Sequence, residues 1–168
     1  MQSCFNAVEW MVSRKPSLAR YGKDQLEHVL HFTLMWNMFE SYLCNQSASV
    51  NALESLLRDL ERNNQLQIVE FESYLSLFQS RYVSNGEFTE RFPHLNLRRG
   101  DREDLVRSVL LGEKTDEFST ALTCLLIIYR YRNNLFHGIK DVNDLTFQRD
   151  IFEQSSMLLS RVLEASGV

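Results

Sequence analysis

From Phe118 to Tyr131 the sequence is apolar on almost every face a helix would present, and it then turns polar within a few residues. A helix that is hydrophobic all round is one enclosed by other elements, so this stretch demands a bundle built around it. Its longest apolar run, Leu122 to Tyr129, is far too short to cross a bilayer, so the enclosing medium is expected to be protein and not membrane. Only six Gly and two Pro occur in 168 residues. So few chain-reversal residues suit long helices better than many short strands joined by tight turns. With 44% of its residues hydrophobic, a chain of this length can bury a sizeable core as one domain over 1–168. The expected fold class is therefore all-α, a bundle of about six or seven helices.

Apolar periodicity places the other helices. Phe5, Trp10, Met11 and Val12 suggest a short first helix that stops before Pro16. Asp24 opens a long pattern through Leu26, Val29, Leu30, Leu34, Met35, Met38, Phe39, Tyr42 and Leu43, at three- and four-residue steps. Val50 to Leu60 mark the next helix, and Ile68 to Tyr82 another. Asn85-Gly86 begins an irregular stretch that runs to Gly100. Asp101-Arg102-Glu103-Asp104 resembles a helix N-cap with acidic residues in the first turn, ahead of a short helix carrying Leu105 to Leu110. Thr115-Asp116-Glu117 starts the central helix, Gly138 is a natural terminator, and Asp144 caps a last helix bearing Phe147 to Leu163.

The three cysteines, Cys4, Cys44 and Cys124, have no paired metal-binding or redox spacing and lie in apolar stretches. They read as reduced thiols in a cytoplasmic protein. A nucleophilic Cys124 is disfavoured by its core-like flank, Ala121 to Ile128. The segment from Met1 to Glu9 lacks a basic leader and does not read as a signal peptide. His28, His31 and His94 form no ligand set with carboxylates or thiols, and neither a metal nor another cofactor is expected.

A net charge of −4 argues against a broad electrostatic nucleic-acid surface. Yet 14 of the 18 basic residues are Arg, the better residue for forked contacts to phosphate. Arg98, Arg99 and Arg102 make one cluster, although Glu103 and Asp104 beside them favour a solvated, salt-bridged surface.

The chemistry-bearing segment is the exit of the central helix, Arg130-Tyr131-Arg132-Asn133-Asn134-Leu135-Phe136-His137-Gly138. Arg132 and His137 are five residues apart, about 140° around a continuous helix, so they share a cleft if the helix turns near Asn133-Asn134 or if two chains pack there. Arg-to-His spacings of this length arise by chance, and Arg130 to His137 is another. Cations at a helix C-terminus also serve simply as caps. Glu40, four residues after Trp36, is either a surface glutamate or a group that orients Arg132 from a neighbouring helix.

Tyr131 to Gly138 resembles the Arg-x(4–6)-His signature of HEPN domains, including the polar residue, Asn133, that follows the arginine in many members. Leu34 to Leu43 resembles the long second-helix segment of that family. The resemblance covers roughly residues 24 to 45 and 115 to 165, and it implies an antiparallel bundle into which the helical segment around 46–112 is inserted. It implies a metal-independent endoribonuclease acting as a toxin, antiviral defence or RNA-processing effector. Arg132 and His137 would be catalytic, with Asn133, Arg130 and Glu40 supporting them or binding RNA. It further implies a homodimer whose two Arg/His pairs form one cleft, and a possible antitoxin or regulatory partner. Members modified by a paired nucleotidyltransferase carry Tyr two residues after the histidine. Ile139 stands there in this chain, which speaks against that form of regulation. A non-catalytic HEPN-like bundle that binds nucleotide, RNA or a protein partner is the alternative function.

Overall fold

The structure is a computed structural model that describes residues 5–14, 23–136 and 148–168. The positions expected at His137, Gly138, Ile139, Asp144 and Phe147, and Cys4 and Pro16, lie outside the described residues. Seven α-helices are present among the described residues: α1 (Ala7–Arg14), α2 (Lys23–Leu43), α3 (Val50–Arg62), α4 (Phe71–Tyr82), α5 (Glu103–Leu110), α6 (Glu117–Phe136) and α7 (Arg149–Ala165). The chain is an all-α bundle, with 3-10 turns at Leu66–Val69 and Phe92–Leu95 and one two-stranded hairpin between α4 and α5.

α6 is the axis of the bundle. Fourteen of its 20 residues are buried, all between Ser119 and Asn134. α3, α4 and α5 all pack against it. The segment 46–112 thus carries three helices besides the hairpin, and it supplies Leu53, Leu57, Phe78, Val106 and Val109 to the same core that encloses α6. α2 and α7 pack along one another, with Phe32 and Phe152 at 5.1 Å between ring centroids. Trp36 on α2 reaches Tyr129 on α6 at 6.0 Å, which ties this second pair of helices to the axis. One connected core runs from Phe32 to Ala165.

Helix starts follow local chemistry. Ser49 caps α3 by accepting a hydrogen bond from the Ala52 N–H at 3.2 Å. Asp116 caps α6, accepting from Ser119 N–H at 2.9 Å. That bond is the main cause of a lowered Asp116 pKa.

Four local expectations change. Ile68 is 65% exposed in the 3-10 turn, and Glu70 in the left-handed region (φ 55) separates that turn from α4, so the fourth helix begins at Phe71. Asn85-Gly86, expected to open an irregular stretch, joins β1 (Val83–Ser84) to β2 (Glu87–Phe88) with positive φ at both turn residues, 53° and 77°. Such a turn matches the twist of a hairpin, and Asn and Gly tolerate it. Asp101 does not cap α5. The capping position is Arg102 at φ 56, and the Asp101 carboxylate points instead at Arg98 N–H and Arg130. On α2, Leu30, Leu34, Met38 and Tyr42 form an exposed apolar stripe and are not core.

Candidate functional site at the end of the central helix

Arg130 and Arg132 are two residues apart on α6, so about 200° of helical rotation sends them to opposite sides. Arg130 turns into the protein and is 1% exposed. Its Nε donates to the Leu95 carbonyl at 3.2 Å, one Nη donates to Asn134 Oδ1 at 3.4 Å, and the other pairs with Asp101 at 3.3 Å. Asn134 in turn donates to the carbonyls of His94 and Leu95, at 3.2 and 3.1 Å. Burial pulls the Arg130 guanidinium below its ordinary pKa, and Asp101 acts against that pull. This network fastens the loop from His94 to Asp101 onto the last turns of α6. Arg130 is thereby committed to the interior, away from Arg132.

Arg132 faces α2. Its side chain is 30% exposed and its Nη2 lies 3.5 Å from Glu40 Oε2, itself 19% exposed. Glu40 is held from three directions: Trp36 Nε1 and the Ala48 N–H each donate to it at 3.0 Å, and Arg132 closes the set. Nη1 of Arg132 donates to Asn133 Oδ1 at 3.1 Å. The guanidinium carbon lies 5.2 Å from the Phe136 ring centroid and 6.0 Å from that of Trp36, within cation–π range. Each Nη keeps a second hydrogen that these partners do not use. The result is a positioned, part-exposed fork on a rigid helix.

Helix α6 continues through Asn133 and Asn134 to Phe136, so the chain does not turn there. Of the expected residues, Glu40, Asn133 and Arg132 are brought together, Arg130 is not, and His137 is not described. Trp36 and the backbone of Ala48 belong to the site as supports of Glu40. The four-residue step from Trp36 to Glu40 was the signal available for the first, since it stacks the two side chains on one face. Nothing local marks Ala48.

Other chemistry-bearing groups are structural. Tyr131 and Tyr82 share a buried hydrogen bond of 2.5 Å between hydroxyls, and burial pushes both phenols up. Cys124 is fully buried with its thiol pushed up by desolvation, and Cys44 is raised by burial to about 11. Neither favours a thiolate at neutral pH. His28 is buried against Phe152, whereas His31 is exposed beside Glu27 at 3.7 Å. Among the described residues no three His, Cys, Asp or Glu side chains are grouped to hold a metal ion. Among them also, no helix is long and apolar enough to cross a membrane.

Comparison with protein-family models, with curated proteins and with solved structures finds no match for this chain.

Proposed function

We propose that this chain is a metal-independent endoribonuclease of the HEPN type, with Arg132 and His137 as its catalytic pair. The observation that carries the reading is Arg132 itself, a fork with unspent donors presented at the end of the most buried helix and oriented by Glu40 and Asn133. The resemblance of Tyr131 to Gly138 to the Arg-x(4–6)-His signature supplies the partner histidine.

The chemistry follows from the two groups. Histidine side chains ordinarily titrate near neutrality, which suits His137 to take the proton from an RNA 2′-hydroxyl. The 2′-oxygen attacks the adjacent phosphorus, the bond from phosphorus to the 5′-oxygen breaks, and that oxygen picks up a proton. Arg132 holds the non-bridging phosphate oxygens as their charge develops. The products are a 2′,3′-cyclic phosphate and a 5′-hydroxyl end. DNA, without the 2′-hydroxyl, resists this route.

A cytoplasmic toxin, defence or RNA-processing effector acting as a homodimer, with an antitoxin or regulatory partner, is the setting we propose for this activity. The exposed stripe Leu30, Leu34, Met38 and Tyr42 supports self-association. That stripe is centred on the side of α2 about 140° from Glu40, so pairing through it would not by itself join two Arg132 side chains.

One observation favours a non-catalytic phosphate-binding bundle: Glu40 already neutralises Arg132 in a chain of net charge −4. Incubation of the purified protein with total RNA in EDTA separates the two readings. Fragments that vanish in His137→Ala are expected; intact RNA with undiminished RNA binding would favour the non-catalytic bundle.

A further inference from the structure

We propose that the Phe136 ring is a stacking platform for the RNA base next to the phosphate that Arg132 holds, an inference that rests on the ribonuclease reading above. A single exposed apolar side chain is ordinary on a protein surface. What sets this one apart is where it stands. Phe136 closes α6 four residues beyond Arg132, and that step puts both side chains on one face of the helix. The Arg132 guanidinium carbon lies 5.2 Å from the centre of the Phe136 ring and 6.0 Å from that of Trp36. The two rings differ in access. Trp36 is 2% exposed and occupied with Glu40, whereas Phe136 is 55% exposed. With Arg132 already against it, more than half of Phe136 still faces solvent.

Charge alone gives a strand little pull toward this site. The chain carries −4 overall, and Glu40 lies 3.5 Å from Arg132 Nη2. A base laid on an aromatic ring is held by dispersion and apolar burial, so that contact is indifferent to net charge. Phosphate and base are the two ends of one nucleotide, and here a phosphate-binding fork adjoins an exposed ring. Phenylalanine has only two side-chain torsions, and this one stands on the last turn of a helix anchored in the core, so ordering it on binding costs little. Every base has a flat face, so the platform holds a strand in place without reading its sequence.

The test is fluorescence anisotropy of two labelled probes of equal length, titrated with the whole chain over a range of salt. One is a short 2′-O-methyl oligoadenylate, which cannot be cleaved, and the other is an abasic sugar–phosphate strand. Phe136→Leu keeps apolar bulk beside Arg132 but offers no aromatic face. It should bind the oligoadenylate about tenfold more weakly and the abasic strand as wild type does. The slope of log K against log salt should stay the same, because no phosphate contact is lost. Phe136→Trp should bind the oligoadenylate at least as tightly as wild type. Arg132→Gln should weaken both probes and lower the slope. Wild-type affinity of Phe136→Leu for the oligoadenylate would overturn the proposal. Equal losses on the two probes would also overturn it, since the ring would then serve only to cover Arg132, as would a wild type that binds no RNA. The ribonuclease reading fails separately: oligoadenylate held through Phe136, with total RNA never cut, leaves the platform standing and removes the chemistry.

Discussion

Arg130 and Arg132 share one helix turn and one flanking sequence, yet they meet opposite surroundings. Arg130 is sealed in the interior with every arm of its guanidinium occupied by Asp101, Asn134 and the Leu95 carbonyl. Arg132 sits at the rim, 30% exposed and held by Glu40 and Asn133. A buried charge is tolerated only when it is paired, and an arginine sealed in the interior cannot reach a substrate. A functional arginine needs the reverse, enough partners to fix its direction and enough free donors to bind. Arg130 builds the end of the bundle, and in the proposed ribonuclease Arg132 is the arginine left to meet the substrate.

Breaking the interior half should have the largest effect on stability. Arg130→Met leaves Asp101 buried without its partner, and it should cost about 3–5 kcal/mol in urea unfolding. Adding Asp101→Asn to that background should cost little more, because the orphaned charge is then gone. Strict additivity of the two changes would show that the pair is not coupled. Asn134→Ala comes next, at about 1–3 kcal/mol, since the His94 carbonyl loses its donor and the Leu95 carbonyl one of its two. The same urea transitions give that number, and a loss below a few tenths would mean water replaces the amide freely.

The far end of α6 offers a smaller, independent check. Asp116→Ala removes the cap and should cost about 1 kcal/mol at neutral pH. The folded-state pKa of Asp116 is lowered, so its contribution is present above the unfolded value and is lost as pH falls through the folded one. The wild-type advantage over Asp116→Ala should therefore shrink in acid. A gap that stays constant down to pH 2 would contradict the assigned cap. Smallest of all is Arg132→Ala, within about 1 kcal/mol of wild type, because a part-exposed ion pair contributes little.

This division was only half legible in the sequence. The all-apolar run into Tyr131 announced a central helix, since no other arrangement hides so many faces at once. The two-residue spacing of the arginines already implied opposite sides of that helix. Which side was interior depended on Asp101, 29 positions earlier, and its cap-like setting Asp101-Arg102-Glu103-Asp104 pointed to a local role. The acid was used at long range instead, while Arg102 took the left-handed capping position. α2 misled in the same way: apolar residues line two faces, Phe32, Trp36 and Phe39 inward and Leu30, Leu34, Met38 and Tyr42 outward, and periodicity alone cannot rank them. The hairpin was written plainly in Asn85-Gly86, but strands of two residues carry no alternation to read.

The central claim is that the rim arginine serves chemistry and not the fold. Its most direct test is the initial rate of RNA cleavage by Arg132→Ala in EDTA, at a temperature where urea unfolding shows the variant as stable as wild type. The account predicts a loss of about 10²–10³-fold, with wild-type fragments ending in 2′,3′-cyclic phosphate. Cleavage at the wild-type rate by the folded Arg132→Ala protein would contradict it.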